Sequence, residues 1–309
     1  MAKELQDMRC GKPVPWGRKK KKTVPVAQAF WQLEQGKKAA RVHYCGDYLT
    51  FHEADQGDRK LHDANFCRER LCPMCAWRRS LKVFRQVSQV MDYIDQDTPG
   101  LVPLFLTLTA RNCESGQLAA LLDKIFSGWN NMVRRAKPKR VIQGWFRALE
   151  VTRGKDGSWH PHLHAILLVR QEYFTSKDYI ATREWVQLWR QALRLDYDPI
   201  CDMRRMHSMG NRKAVAEVAK YTVKDTDYVS RDPDATRQAV DVLSRALRGR
   251  RLMAFGGCMA AAARTLRQEE LGEGDLVHVD DDDLRDDVAA AIEIYRWDFG
   301  AAKYLLTSE

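Results

Sequence analysis

A stretch of alternating polar and apolar residues near the middle of the chain constrains the fold more than any other part. Two apolar-rich runs, Trp145–Thr152 and Trp159–Val169, flank the turn-forming residues Arg-Gly-Lys-Asp-Gly-Ser, and this pattern predicts a β-hairpin. The second run carries three histidines at alternate positions: His160, His162 and His164. Side chains alternate between the two faces of a strand, so all three should project to one side. A turn centred on residues 155 and 156 would also place Glu150 opposite His162 on that face.

This face of the predicted hairpin gathers groups that bind metal ions. Neutral imidazole and carboxylate are ligands for Mn, Fe, Zn and Mg ions. One histidine on a half-exposed strand would be an ordinary polar residue, but two or three beside a glutamate favour a site for a divalent cation. The apolar residues of the opposite face suit a hydrophobic core: Leu163, Ala165, Leu167 and Val169.

Composition indicates a soluble globular protein of about two domains. The chain has 309 residues, of which 45% are hydrophobic and 30% are charged. No apolar run approaches the ~20 residues of a membrane span. The basic run Lys19–Lys22 is not followed by the apolar segment of a signal peptide, so we expect a cytoplasmic location without membrane contact. In that compartment the eight cysteines favour metal ligands and free thiols over disulfides.

Charge is spread unevenly along the chain. The net charge is +10, with +8 in residues 1–80 and −8 in residues 272–309, where Asp280–Asp283 form an acidic run. A basic body favours a nucleic-acid partner, because neutralising backbone phosphates releases condensed counterions. A solvated surface would give the same charge, and the acidic tail would either maintain solubility or compete with DNA for the basic face.

A cysteine-rich segment predicts a structural zinc site. Cys67 precedes Cys72, which forms a Cys-x-x-Cys pair with Cys75. Tetrahedral Zn²⁺ needs a fourth ligand, for which Cys45 is the first candidate and His62 the second. A thioredoxin-like redox pair is the alternative, but that motif should open a helix after a core strand, and here a third cysteine precedes it. Four nearby arginines should present phosphate-binding groups on a rigid knob: Arg68, Arg70, Arg78 and Arg79.

Apolar periodicity predicts the remaining elements. The predicted helices are Ala27–Gln35 (ended by Gly36), Ser80–Asp95, Ser115–Arg135, Thr175–Leu195 and Asn211–Lys224. The predicted strands outside the hairpin are Arg41–Phe51, Leu101–Thr109 and Ile200–Met206. From Leu101 onward the order is the β-α-β-β-α-β framework of ferredoxin-like folds. We therefore predict an α+β protein with a central antiparallel sheet flanked by helices, preceded by a zinc-ribbon-like segment and followed by a helical C-terminal region.

Four segments are expected along the chain. They are a basic, mobile N-terminal segment (1–40), a Cys-rich zinc-binding segment with a helix (41–97), a central domain (98–230) and a helical region with the acidic tail (231–309). Within the helix predicted at 211–224, Glu217 and Tyr221 share a face and Lys224 lies on the adjacent one. An amphipathic surface helix would give the same pattern, but the histidine patch favours a functional role.

Three motifs occur in a diagnostic order. They are Phe105–Asn112 (FLTLTARN), His160–His164 (HPHLH) and Glu217–Lys224 (EVAKYTVK). With the Cys-rich segment and the late GRRLMAFGG stretch, they resemble plasmid rolling-circle replication initiators of the HUH endonuclease superfamily, in the group that includes the pUB110 and pC194 Rep proteins. The resemblance covers roughly residues 40 to 265. His-x-His alone is a weak signal, whereas the ordered set is specific.

The resemblance implies that residues 98–230 form an HUH nicking domain. His162, His164 and Glu150 would bind a catalytic Mg²⁺ or Mn²⁺ ion, with His160 as a neighbour, and the cysteines would hold structural zinc. The expected activity is origin-specific single-strand cleavage and strand transfer. The implied partners are the plasmid double-strand origin, single-stranded or cruciform at the nick site, and the host helicase, polymerase and single-strand binding protein.

The resemblance also assigns roles to the last motif. Tyr221 would attack the scissile phosphate, giving a 5′-phosphotyrosyl DNA and a free 3′-OH. A phenol with a pKa near ~10 needs help from the metal and from neighbouring charge, and Lys224 would balance the phosphate charge. Glu217 would activate water at termination, and Tyr228 would be structural.

Other functions remain open at this point. An HUH mobilisation relaxase or transposase would use the same chemistry on another substrate. A non-haem Fe(II) oxygenase also uses two histidines and a carboxylate, but it leaves the tyrosine motif and the cysteines unexplained. A non-catalytic zinc-dependent DNA-binding regulator would explain the basic body but not the histidine face.

Overall fold

The computed structural model describes residues 3–9, 12–53, 59–206, 208–219, 223–268, 270–279 and 292–308. The helices are α1 (Trp16–Lys21), α2 (Thr23–Gln32), α3 (Gly36–His43), α4 (Pro73–Asp97), α5 (Leu118–Val133), α6 (Ala136–Val141), α7 (Thr182–Leu193), α8 (Arg212–Val218), α9 (Asp225–Tyr228), α10 (Pro233–Ala246) and α11 (Cys258–Thr265), with a 3₁₀ turn at Gln171–Phe174. The strands are β1 (Met8–Arg9), β2 (Lys12–Pro13), β3 (Tyr48–Glu53), β4 (Arg59–Ala64), β5 (Leu101–Thr109), β6 (Gly144–Arg153), β7 (Trp159–Arg170), β8 (Cys201–Arg205), β9 (Met253–Gly257), β10 (Ile292–Asp298) and β11 (Lys303–Ser308).

The chain divides into two compact units that are not contiguous in sequence. The first comprises Met1–Lys82, Tyr228–Asp241 and Gly272–Glu309, and the second comprises Val83–Asp227 and Val242–Leu271. Helices α4 and α10 each contribute residues to both units.

The second unit contains a five-stranded antiparallel sheet with the strand order β8-β5-β7-β6-β9. The first four strands along this order have the ferredoxin-like arrangement, and β9 extends the sheet beyond β6. The hairpin β6–β7 therefore lies inside the sheet, which confirms the predicted antiparallel α+β fold. Strand β5 has the predicted bounds, and the register pairs Glu150 with His162, as the hairpin pattern predicted.

Helices cover both faces of this sheet. On the face that carries Glu150 and the histidines, Val83, Val87 and Val90 of α4 belong to one buried cluster with residues of α8, α11 and the sheet. On the opposite face, the Trp129 ring of α5 lies 5.2 Å from that of Trp145. Burial of each such side chain contributes roughly 1.5–3 kcal/mol to the stability of the fold. An isolated hairpin would leave these side chains exposed and would be only marginally stable.

The first unit differs from the expectation at its N-terminal end. Residues 1–40 were expected to be mobile, but the described part carries three helices, and the buried Trp16 ring packs 5.8 Å from Phe51. Gly36 begins α3 instead of ending the preceding helix, and the strand predicted at Arg41–Phe51 is helical up to His43. The sequence GKKAARVH is rich in good helix formers, so the strand starts only at Tyr48, in β3.

The C-terminal region is only partly helical. It contains α10 and α11 as expected, but also the strands β9, β10 and β11. Strands β10 and β11 extend a sheet with the order β11-β10-β3-β4. Burial alternates along β10 (IEIYRWD), a strand period that the neighbouring acidic residues obscured in the sequence. The acidic run Asp280–Asp283 lies outside the described residues.

The helix predicted at Asn211–Lys224 is shorter than expected. Helix α8 begins after Asn211, whose side chain accepts a hydrogen bond from the Ala214 N–H, and it ends at Val218. Lys224 is not helical, so the expectation of one continuous helix was wrong. Thr222 and Val223 are β-branched, a side-chain type with low helix propensity. Tyr221 lies outside the described residues.

Candidate active site and cysteine centre

The side chains of Glu150, His162 and His164 converge on one face of the central sheet. Glu150 Oε2 lies 3.1 Å from His162 Nε2 and 2.9 Å from His164 Nε2. The side chains are 6%, 11% and 10% exposed, respectively, so the group is largely withdrawn from water. Alternation along β7 and the pairing of Glu150 with His162 produce this grouping.

The second nitrogen of each imidazole contacts a fixed partner. Thr107 Oγ1 of β5 lies 3.1 Å from His164 Nδ1, and the His160 carbonyl oxygen lies 3.3 Å from His162 Nδ1. These contacts orient both rings so that their Nε2 atoms face the carboxylate. Two oriented imidazoles and a carboxylate suit a divalent transition metal or Mg²⁺, so the donor set fits a metal ion.

Lys224 completes the charge balance around Glu150. Its Nζ atom lies 2.8 Å from Glu150 Oε1, so both carboxylate oxygens are engaged. Burial acts to raise the pKa of Glu150, but hydrogen bonds from His162, His164 and Lys224 outweigh it and hold that pKa well below its usual range. The hydrogen bond to Glu150 raises the pKa of Lys224. The site therefore combines an ionised carboxylate with a charged ammonium group.

His160 occupies a neighbouring position. Its Nδ1 lies 2.7 Å from Asn112 Oδ1, and its ring centre is 5.2 Å from that of His162. The convergent donor group contains Glu150, His162 and His164 but not His160. Burial, followed by the charge of His162, lowers the pKa of His160.

The remaining residues of the tyrosine motif are placed in part. Glu217 is half-buried on α8, and its charge contributes to the raised pKa of Lys224. Tyr221, the expected nucleophile, lies outside the described residues. Tyr228 is buried, and its hydroxyl donates to the Leu71 carbonyl oxygen at 2.9 Å, in agreement with a structural role.

Sequence reasoning missed the parts played by Thr107 and Asp227. Thr107 pairs with His164 across β5 and β7, and its alternation with Thr109 along β5 could have indicated this face. Asp227 lies near the Lys224 and Glu150 charges, and burial raises its pKa. No pattern in the sequence marks Asp227, which lies outside the Glu217–Lys224 motif.

Four thiols form a second cluster, in the first unit. The Sγ atoms of Cys45, Cys67, Cys72 and Cys75 all lie within 4.8 Å of one another, and the cysteines form no disulfide. The Cys45–Cys75 and Cys67–Cys75 distances are 3.4 and 3.7 Å. A tetrahedron with ~2.3 Å Zn–S bonds has edges of about 3.8 Å, so the cluster fits a zinc ion.

The chain geometry supports this cysteine cluster. The backbone N–H of Arg68, a residue with φ of 61°, donates to Cys75 Sγ at 3.1 Å. Helix α4 begins at Pro73, between Cys72 and Cys75, whereas the sequence predicted a start at Ser80. Proline is favoured in the first turn of a helix, which accounts for the earlier start. Cys45 is the fourth member of the cluster, whereas His62 stacks on His52 with ring centres 4.0 Å apart.

Two of the four arginines near the cysteines bind backbone carbonyl groups, so they do not form the expected phosphate-binding surface. Arg78 is fully buried, and its guanidinium donates to the carbonyl oxygens of Leu276 and Val277 at 2.9 and 2.6 Å. Arg79 donates to the carbonyl oxygens of Gly272 and Arg68. Arg78 and Arg79 therefore hold the 272–277 segment within the first unit.

Comparisons with known proteins identify the family. Residues 58–305 match the Rep_1 replication protein family. The chain is 36% identical to a "Protein rep" from Bacillus amyloliquefaciens, over 96% of this chain and 95% of that relative, and 33% identical to one from Lentilactobacillus hilgardii, over 98% and 99%. A "Replication protein" from Staphylococcus aureus is 31% identical over 72% of this chain and 97% of its own. No solved structure matches the chain.

The chain therefore belongs to the Rep_1 replication protein family, which confirms the resemblance to plasmid replication initiators. Across the part of the chain that the structure describes, no helix has both the length and the apolar character needed to cross a membrane.

Proposed function

We propose that this replication protein nicks one strand of its plasmid origin and becomes covalently joined to the 5′ end through Tyr221. The observation that carries the proposal is the convergence of His162 Nε2, His164 Nε2 and Lys224 Nζ on the two oxygens of Glu150. Such a site can bind a divalent cation and an anionic phosphate side by side.

The catalytic ion is proposed to be Mg²⁺ or Mn²⁺, held by Glu150, His162 and His164. When bound, it supplies Lewis-acid polarisation of the scissile phosphate and helps to orient it. The Tyr221 phenolic oxygen, after losing its proton, forms a bond to phosphorus while the bond to the 3′ oxygen breaks. The released 3′ oxygen takes up a proton and becomes the 3′-OH that primes synthesis. Lys224 contributes positive charge next to the phosphate.

Glu217 is proposed to act at termination. After one round, Tyr221 is still esterified to the displaced strand, so a second cleavage needs another nucleophile. Glu217 can accept a proton from water as that water attacks the phosphate. A surface ion pair with Lys213 or Lys220 is the alternative role, worth only ~0.3–0.5 kcal/mol.

The four cysteines are proposed to bind structural Zn²⁺, and the origin is proposed to be read in single-stranded or cruciform form. The host helicase, polymerase and single-strand binding protein would act on the strand that the nick releases. A mobilisation relaxase or transposase would share the cleavage chemistry, and a non-catalytic zinc-dependent DNA-binding regulator would lack it.

A nicking assay on supercoiled plasmid DNA carrying the origin tests the proposal. The wild type plus Mn²⁺ should convert supercoiled DNA to the open circular form, and His162→Ala should lose both nicking and Mn²⁺ binding by calorimetry. His62→Ala, an exposed histidine outside the site, is the matched control and should retain both. Wild-type protein that binds the origin without cleaving it would favour the regulator.

A replication assay separates the two roles of Glu217. Glu217→Ala should nick the origin and form the covalent adduct, yet accumulate products longer than one plasmid unit. Unit-length products from this variant would contradict the water-activating role and favour the surface ion pair.

A further inference from the structure

Arg111 lies just beyond β5, in the Phe105–Asn112 motif, to which the proposed chemistry assigns no role. Its side chain stacks on that of Tyr197. The guanidinium carbon of Arg111 is 3.8 Å from the centre of the Tyr197 ring, which is van der Waals contact between stacked groups. The backbone N–H of Arg111 also donates to the Tyr197 hydroxyl at 2.8 Å. Two contacts therefore fix Tyr197 against the end of the strand.

An exposed aliphatic residue, Ile200, is hydrogen-bonded through its backbone to the end of β5. Ile200 is 73% exposed, and its carbonyl oxygen accepts hydrogen bonds from the backbone N–H and the hydroxyl of Thr109, at 3.1 and 3.0 Å. We refer to Arg111, Tyr197 and Ile200 as the platform.

The platform is continuous with the candidate active site. Thr109 pairs with His162 in the register of β5 and β7, and Ile200 lies on the other side of Thr109. Two strand spacings, about 10 Å in all, thus separate Ile200 from His162. Asn112, the residue after Arg111, contacts His160 at 2.7 Å. A strand whose phosphate lay at Glu150, His162 and His164 would have its neighbouring nucleotide within reach of the platform.

The chemistry of the platform suits an unpaired nucleotide. Among the described residues, no carboxylate forms an ion pair with Arg111, whose side chain is exposed. A guanidinium carries its N–H donors in its own plane, so stacking on Tyr197 leaves them available to a phosphate. Unstacked bases bind to arginine planes and aromatic rings, and Arg111 is exposed. Duplex DNA hides its base faces and would not use this surface.

We propose that Arg111, Tyr197 and Ile200 bind an unpaired nucleotide next to the scissile phosphate, with the base on the outer face of the Arg111 guanidinium and on Ile200. Tyr197 supports the guanidinium from behind. The position of the nucleotide relative to the cleaved bond rests on the proposed function, whereas its binding to single-stranded DNA does not.

Binding is measured by fluorescence anisotropy with a fluorescein-labelled oligothymidylate in buffer without added Mg²⁺ or Mn²⁺, so that no cleavage contributes. Arg111→Lys keeps the charge but removes the planar face, and should weaken binding about ten-fold. Ile200→Ser should weaken it to a smaller extent. Arg134→Lys is the matched control, because Arg134 is an exposed arginine at the end of α5, and it should bind as the wild type does. Thermal unfolding of each variant establishes that the fold is retained.

Photocrosslinking locates the base directly. An oligothymidylate carrying 5-iodouracil, irradiated in the complex and mapped by mass spectrometry, should crosslink to Arg111 or Ile200, the two residues that the base contacts. Unchanged affinity in folded Arg111→Lys would overturn the proposal, and so would crosslinks found only outside the platform. Either result would favour a protein partner for this surface.

The two proposals can fail separately. If the wild type forms no covalent adduct with the origin strand while Arg111→Lys still loses affinity and the base still crosslinks to Arg111 or Ile200, the platform stands and the nicking function fails. If the adduct forms while Arg111→Lys and Ile200→Ser bind and react as the wild type does, the platform is wrong and the nicking function stands.

Discussion

Lys224 Nζ lies 2.8 Å from Glu150 Oε1, although Lys224 follows the end of α8. The carboxylate meets the two histidines through its other oxygen. One glutamate thus links the two candidate metal-binding imidazoles to the ammonium group of Lys224, whose side chain is 43% exposed. This arrangement makes the affinity of the site for a divalent ion depend on a residue that is not itself a ligand.

Replacing Lys224 should separate metal binding from catalysis. In Lys224→Met, the positive charge next to Glu150 is lost, so Mn²⁺ should bind roughly five-fold more tightly. Nicking should nevertheless slow, because the phosphate loses a neighbouring cation. Isothermal calorimetry and the plasmid assay measure the two effects. Lys155→Met, in the exposed hairpin turn, should change neither, and weaker Mn²⁺ binding by Lys224→Met would contradict this role.

The cysteine cluster predicts one tightly bound zinc ion per chain. Wild-type protein purified without chelators should contain about one zinc ion, and Cys45→Ser should contain much less and unfold at lower temperature. Cys113→Ser changes a buried cysteine outside the cluster and should keep its zinc. Elemental analysis by mass spectrometry measures the content, and folded, active wild type without zinc would refute the assignment.

Strand β9 should be sensitive at Gly257. Its φ is 59° and its ψ is −140°, and an added Cβ would lie 2.3 Å from the Gln143 carbonyl oxygen. Gly257→Ala should therefore lower the free energy of unfolding by about 3 kcal/mol or more. Gly249 also has a positive φ, of 70°, but a Cβ there would meet no atom within 4 Å, so Gly249→Ala should cost only about 1–2 kcal/mol.

Urea denaturation of the two glycine variants makes the comparison. Equal urea midpoints for Gly257→Ala and Gly249→Ala would contradict the prediction, because they would show that the clash with Gln143 costs no stability. A separate close approach constrains the other glycine of the pair: Gly256 lies opposite Trp145, and a Cβ there would approach its ring to 2.1 Å.

Protonation of Glu293 should lower the stability of the protein in acid. Burial acts to raise its pKa, but hydrogen bonds from Arg59 and Lys3 outweigh it and lower the pKa to about 2. Because the folded pKa is below the unfolded value of about 4.3, this contribution is present above that value and is lost as the pH falls towards 2. Glu293→Gln should be less stable than the wild type by roughly 2–3 kcal/mol at pH 7, with the difference vanishing near pH 2. A constant difference between pH 7 and pH 2 would contradict this.

The central sheet could be predicted from the sequence because its signals are local. Alternation along β7 and the turn before it set the register that pairs Glu150 with His162. The cysteine spacing likewise predicted three members of the thiol cluster, and Cys45, the first candidate for the fourth position, completes it. These features need only short-range geometry.

Long-range pairing was not predictable in the same way. Strand β10 joins β3, more than two hundred residues away in sequence, and no local pattern specifies that partner. Burial of Arg78 was also missed, because its acceptors are carbonyl groups of the 276–277 segment and have no sequence signature. Helix α8 ends at Val218, whereas apolar periodicity alone extended the predicted helix to Lys224.

The most direct test of the account is covalent capture of DNA by Tyr221. Wild type incubated with Mn²⁺ and a labelled single-stranded origin oligonucleotide should give a denaturation-resistant protein–DNA adduct, and Tyr221→Phe should give none while still binding Mn²⁺. Tyr228→Phe loses only a buried hydroxyl that donates to Leu71, and it should form the adduct. An adduct that persists in Tyr221→Phe and maps to another residue would contradict the assignment.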